Sequence, residues 1–380
     1  MIQTTQPRIK WMASSLLGKV PFEARWTGAP LPESRNGSME PGNGPWTFGS
    51  YFQVIQDVIS RNSFALLLQA TGRQLASPVL LSEVTEILIY AEKHGNLYHP
   101  AKIEVITKER CARFVMNVAL TERGRAAMLG EIRALTFLTR EYPYPFLPIV
   151  YSCPLGDEGA PAGLFLAEWF EGFHEFHLSL DPAEGTRKLI LWDGNQSPRY
   201  LTDRQRKQVY LEISKILTLY YNPLTFDQIF PWHHGAGDFV VKREGEKVEV
   251  RLVTVRQYGP MMEPSENTVE EALLFFFLNL SLRMRLDRLD GVGEIVWAED
   301  DCLEMTWEGF QEALQIKERE GGLTAGFRKS FLKGLSRYSE GDLVERFSAL
   351  LDAYDPAAPD LPVIRRHLSP HITQVYGSFN

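Results

Sequence analysis

The sequence predicts an α+β protein, with strands concentrated in its first half and helices in its second. Three segments, residues 86–91, 102–107 and 113–120, are apolar or alternate polar with apolar residues, as strands do. Thr202 followed by Gln205 is typical of a helix N-terminus and opens a long amphipathic segment. From Thr268 onward helical spacing dominates. Because the two kinds of element are segregated along the chain, α+β is favoured over alternating α/β.

The remaining elements follow from the same patterns. A helix is expected after Thr121, strands over 147–152, 164–169 and 189–192, and a hairpin over 238–255. A helix is also predicted from residue 51 to 70. Residues 1–50 hold several aromatics among many Gly and Pro residues, so we expect an irregular arm that lies along the folded body or a neighbouring chain. The expected domains are an arm and helix over 1–80, a strand-rich part over 81–170 and a mainly helical part over 171–380.

Composition narrows the class of protein. The chain has 380 residues, 44% of them apolar, which is enough for a sizeable core. A net charge of −8 argues against bulk electrostatic binding of nucleic acid. The most apolar stretch, residues 272–282, is shorter than the ~20 residues that span a bilayer. Three scattered cysteines without a paired motif suggest reduced thiols. We therefore expect a soluble, cytoplasmic protein with no membrane span and no nucleic-acid partner.

The order of elements resembles that of the small-molecule kinases typified by the aminoglycoside and choline phosphotransferases. The resemblance covers about residues 85–285. It implies a two-lobed protein-kinase-like fold, with a strand-rich N-lobe, a helical C-lobe and, here, an N-terminal extension. Residues 166–172 would be the hinge, whose backbone would contact an adenine.

Three positions carried over from that family concern the nucleotide and its metal. The lysine that holds the phosphates would lie on the third strand, where this chain has Asn117. The helix glutamate that holds this lysine corresponds to Glu131, and we expect Asn117 and Glu131 to lie close together. The second metal carboxylate corresponds to Thr254, which cannot neutralise Mg²⁺.

The catalytic loop of the family reads His-Gly-Asp, then an Asn before a short apolar strand. His234 and Gly235 match, but Ala236 stands where the catalytic Asp belongs. Asp238 precedes the strand, so it would be the metal ligand or the cap of a glycine-rich turn. The pairs His174 and His177, and His233 and His234, are better explained as polar contacts than as zinc ligands.

Three functions remain open at this stage. We favour a degenerate kinase-like module that binds a small ligand or a protein partner and needs no cofactor. The first alternative is a divergent phosphotransferase that uses Mg-ATP, with Asp238 as its acidic ligand and His234 as its base. The second alternative is a structural subunit of a protein assembly.

Overall fold

The computed structural model describes residues 6–15, 18–32, 46–92, 97–153, 162–192, 199–234, 237–265 and 267–380. The chain forms two compact units, Met1–Glu171 and Gly172–Asn380. A large sheet belongs to the first unit, and most of the helices belong to the second. The α+β class predicted from the sequence is therefore confirmed.

A seven-stranded sheet organises the first unit, in the order β2-β1-β3-β4-β5-β7-β6. Its strands are β1 (Arg8–Ser15), β2 (Gly18–Pro21), β3 (Val84–Ala91), β4 (His99–Thr107), β5 (Cys111–Ala119), β6 (Val150–Ser152) and β7 (Gly163–Glu168). The pairs are antiparallel except that β1 runs parallel to β3. Two helices accompany the sheet, α1 (Phe48–Gln74) and α2 (Glu122–Glu141).

The two faces of this sheet differ in character because side chains alternate along each strand. One face packs against α1, and its buried residues include Ile103 and Phe114. The opposite face carries the polar residues of β4 and β5. Gly163 of β7 lies on this second face, on the same side as Phe165, which pairs with Asn117. A Cβ added to Gly163 would be 3.3 Å from Sδ of Met128 in α2, so α2 lies on this face. The polar face of β4 and β5 is thus the side of the sheet on which α2 lies.

The prediction of an irregular N-terminal arm is wrong for Arg8–Ser15 and Gly18–Pro21, which are strands of the sheet. Trp11 on β1 stacks on Phe52 of α1 with 5.2 Å between ring centroids, and its indole N–H donates to Gln56 Oε1 at 2.9 Å. These contacts place β1 in the body of the first unit. The glycine-rich segment 36–45 lies outside the described residues.

Small sheets and helices make up the second unit. Its strands are β8 (Phe176–Leu180), β9 (Arg187–Leu191), β10 (Arg199–Tyr200), β11 (Asp227–Ile229), β12 (Phe239–Glu244), β13 (Lys247–Leu252), β14 (Tyr258–Pro260), β15 (Leu286–Arg288) and β16 (Ile295–Trp297). Its helices are α3 (Asp203–Leu219), α4 (Val269–Met284), α5 (Asp301–Arg319), α6 (Phe327–Leu335), α7 (Glu340–Asp352) and α8 (Leu361–Phe379).

The predicted helix starts are confirmed by their side-chain caps. Thr121 accepts from Gly124 N, and Thr202 and Thr268 each form a capping box. Helix α4 is almost wholly buried, and its Asn279 is accommodated because Tyr354 donates its hydroxyl to Asn279 Oδ1 at 2.6 Å. No helix in the described part of the chain combines the length and apolarity needed to cross a membrane.

Candidate functional site

Asn117 belongs to the face of the first unit's sheet on which α2 lies, and Glu131 is a residue of α2. Asn117 is a half-buried residue of β5, paired with Pro100 on β4 and Phe165 on β7. Glu131 is a residue of α2 and is 2% exposed. Their direct contact stays a prediction. The geometry adds that Asn117, a neutral amide, stands in a strand whose same face carries charged neighbours.

Those neighbours form a cluster that the sequence analysis missed. It consists of Lys102, Glu104, Arg113, Trp169 and Glu171 and is named here the Lys102 cluster. Lys102 Nζ lies 3.0 Å from Glu104 Oε1, 2.7 Å from Glu171 Oε2 and 5.0 Å from the centroid of the Trp169 ring. Arg113 Nε is 3.4 Å from both carboxylates. Two positively charged side chains thus share two carboxylates within the first unit.

Lys102 is only 3% exposed, which is unusual for a lysine. Burial alone would lower its pKa, but its hydrogen bonds to Glu171 and Glu104 outweigh burial and hold the pKa of Lys102 above the ordinary value. The ammonium is therefore charged at neutral pH. The alternation of polar and apolar residues in β4 predicted a strand but did not indicate how its polar face is covered, so it gave no reason to expect a buried ion pair.

The catalytic-loop positions lie in the second unit, where Asp238 is 2% exposed. Arg256 forms two hydrogen bonds to the Asp238 carboxylate: Nη1 donates to Oδ2, and Nη2 donates to Oδ1 at 2.5 Å. The backbone N–H of His233 donates to the same Oδ2 at 2.7 Å. Thr254, two residues before Arg256, is half-buried in the segment after β13. The arginine opposite Asp238 carries no motif and was not singled out from the sequence.

His234 lies in the interior of the second unit with 0% exposure. Its Nε2 is 3.0 Å from the carbonyl oxygen of Met284, and its ring stacks on Phe176 with 5.9 Å between centroids. Burial lowers the pKa of His234, so the ring is neutral at pH 7 and its Nε2–H donates to the carbonyl. A general base must lie within hydrogen-bonding distance of the proton that it removes, and in this structure the Nε2 of His234 is bound to the Met284 carbonyl.

A second histidine of this unit, His177, is bound to a buried carboxylate. Its Nδ1 is 3.4 Å from Oδ1 of Asp287, which is 0% exposed and also accepts from the backbone N–H groups of Leu178 and Arg288 at 2.7 Å. Burial lowers the pKa of His177, but the hydrogen bonds to Asp287 and Glu175 raise it by more, so the pKa lies above its ordinary value. This supports the interpretation of His177 as a structural polar contact.

The geometry does not assemble a metal centre in the part of the chain that is described. No three His, Cys, Asp or Glu side chains there come together as metal ligands would.

No protein-family model matches this sequence, and no curated protein matches it either. The local chemistry of these residues therefore has to carry any functional conclusion.

Proposed function

We propose that this chain is a kinase-like-fold protein that binds a small ligand or a protein partner and does not transfer phosphoryl groups. The observation that carries the proposal is the ion pair between Asp238 and Arg256. In the resembling family this position holds the metal ion. Here a guanidinium already neutralises the carboxylate through two parallel hydrogen bonds, the strongest arrangement available to arginine. Mg²⁺ would have to displace that guanidinium from a buried site.

The other positions of the resemblance support the same conclusion. Asn117 supplies no positive charge for a triphosphate, and Thr254 supplies no carboxylate for Mg²⁺. His234 is fully buried, so it does not replace the missing base. Loss of one charge-stabilising group typically lowers a rate by about 10²–10³, although such losses do not simply add.

The segment expected to contact an adenine is also occupied. Trp169 and Glu171 lie in it, and Trp169 Nε1 donates to Glu171 Oε2 at 3.0 Å. Both residues are tied to the buried ammonium of Lys102. The two cations of the Lys102 cluster are already paired with two carboxylates, so this cluster offers no unpaired positive charge to the phosphates of a nucleotide. This favours a ligand other than a nucleotide.

Thermal unfolding with millimolar ATP and Mg²⁺ tests the proposal. A ligand at 100 times its Kd stabilises a fold by about 2.7 kcal/mol, an easily measured shift in Tm. We expect no Mg²⁺-dependent shift for the natural sequence. The same titration on Asp238→Asn, compared with its own ligand-free Tm, is the control. A shift that requires Mg²⁺ and disappears in Asp238→Asn would overturn the proposal in favour of a divergent phosphotransferase.

A further inference from the structure

We propose that Lys102, Arg113 and Trp169 form a carboxylate-binding site that Glu171 occupies in the ligand-free chain. A carboxylate of the ligand replaces that of Glu171. The inference names a ligand class for the proposed binding role and rests on that role. It concerns residues of the first unit alone.

Two hydrogen-bond donors and a neighbouring cation, from different parts of the unit, converge on one oxygen atom. Glu171 Oε2 lies 2.7 Å from Lys102 Nζ on β4, 3.0 Å from Trp169 Nε1 and 3.4 Å from Arg113 Nε on β5. The Lys102 side chain is 4% exposed, whereas that of Glu171 is 51% exposed. Lys102 is therefore held inside the unit, whereas the Arg113 side chain is 35% exposed and Glu171 reaches both from a side chain that is half in solvent.

The charges of the Lys102 cluster explain why this place needs an anion. Within the cluster Lys102 and Arg113 pair with Glu104 and Glu171, so withdrawal of Glu171 leaves these two cations with one of their two carboxylates. Glu104 does not make up for the lost carboxylate, because its other oxygen, Oε2, accepts a hydrogen bond from the Tyr90 hydroxyl at 3.2 Å. A buried ammonium without its counter-ion is strongly unfavourable, so an external carboxylate is attracted to the position that Glu171 leaves.

Two neighbouring ionisable groups, Tyr90 and Cys111, do not supply that counter-charge. Burial, with Glu104, raises the pKa of Tyr90, and burial raises the pKa of the Cys111 thiol. Both groups are neutral at pH 7. Exchange between two carboxylates conserves the charge of the cluster. The apparent affinity of a ligand is then reduced by the small fraction of molecules in which Glu171 has withdrawn.

Glu171→Ala removes the internal competitor and is the variant that tests the site. Sodium acetate is titrated at constant ionic strength against sodium chloride, with sodium phosphate as a parallel arm. The ¹⁵N-indole resonance of Trp169, assigned with Trp169→Phe, reports occupancy, and Tm reports stability. We expect acetate to shift the resonance saturably and to raise Tm in Glu171→Ala, with a Kd at least ~10-fold lower than in the natural sequence.

Glu184→Ala is the matched control. Glu184 is also an exposed carboxylate paired with a lysine, at 2.6 Å from Lys188 Nζ, and Lys188 likewise keeps a second partner in Asp181. Lys188 is 24% exposed, so water replaces the lost carboxylate, and acetate should act on this variant as on the natural sequence.

Two results would overturn the inference. The first is an acetate response of Glu171→Ala no larger than that of Glu184→Ala. The second is tighter saturation by phosphate than by acetate, which would assign the site to another anion. Should Glu171→Ala fail to fold, Glu171→Gln keeps the size of the side chain and serves in the same comparison. A lack of acetate binding would overturn only the carboxylate site. The proposed function is tested separately, by the thermal unfolding with Mg-ATP.

Discussion

Replacement of Arg256 by methionine should reveal how strongly the second unit depends on the charge opposite Asp238. Removing one partner of a fully buried ion pair costs about 3–5 kcal/mol, because the other charge stays buried and unpaired. Asp238 is 2% exposed, but the Arg256 side chain is 32% exposed, and the His233 N–H continues to donate. Water thus reaches part of the site, and we expect Arg256→Met to lower the free energy of unfolding by about 2–3 kcal/mol.

Urea unfolding at pH 7.5 measures this loss, and a double variant isolates its cause. Asp238→Asn in the Arg256→Met background removes the unpaired charge, so it should restore about 1 kcal/mol or more. Lys207→Met is the control, since Lys207 of the second unit is 42% exposed and pairs at 3.7 Å with Glu304, which is 67% exposed. An exposed pair contributes about 0–1 kcal/mol, so this variant should lose little.

Equal losses in Arg256→Met and Lys207→Met would refute the reasoning. So would strict additivity of the Asp238→Asn and Arg256→Met changes. In either case the stability of the second unit would not depend on the pairing of Asp238 with Arg256.

Two further predictions concern buried histidines of the second unit. Burial lowers the pKa of His371 from 6.5 to about 3, so its stabilising contribution is present above pH 6.5 and is lost as pH falls toward 3. His371→Gln should remove this pH dependence. The difference in free energy of unfolding between the natural sequence and the variant, measured with urea, should therefore narrow by about 2 kcal/mol between pH 8 and pH 5. A difference that stays constant with pH would contradict the lowered pKa. Gly291→Ala should cost about 2 kcal/mol or more, because φ is +70° and the new Cβ would lie 2.6 Å from His177 Nε2. Gly185→Ala, with φ of +67° and open space, should cost only about 1 kcal/mol, and equal Tm losses would show that the contact is unimportant.

The elements that sequence reasoning located are those whose signals are local. The capping boxes at Thr202 and Thr268 form within one turn, so residue identity nearly determines them. The strands β3, β4 and β5 follow one another through short connections, and their apolar residues recur at the spacing of a strand. Their pairing needs no information from distant parts of the chain.

β1 was missed although Arg8–Ser15 begins with alternating polar and apolar residues. Its partner is β3, which begins at Val84, and no local pattern identifies so distant a neighbour. The many Gly and Pro residues between the two strands further suggested an irregular segment.

The candidate site divides in the same way. His234 and Asp238 could be selected because they stand in a recognisable glycine-rich loop. Arg256 could not, since an arginine after a strand is ordinary until its partner is known. Lys102 was missed because the burial of a polar strand residue depends on which elements cover that face. Sequence alternation identifies the face but not its cover.

The parallel pairing of β1 with β3 also affects the order in which the first unit is made. On the ribosome β1 emerges early, but its neighbour follows only after the whole of α1 has been synthesised. Parallel strands require such a long connection, and closing it costs entropy before any inter-strand hydrogen bond forms. β1 can therefore pair with β3 only after β3 has been synthesised, whereas β3, β4 and β5 follow one another and can pair as each is completed.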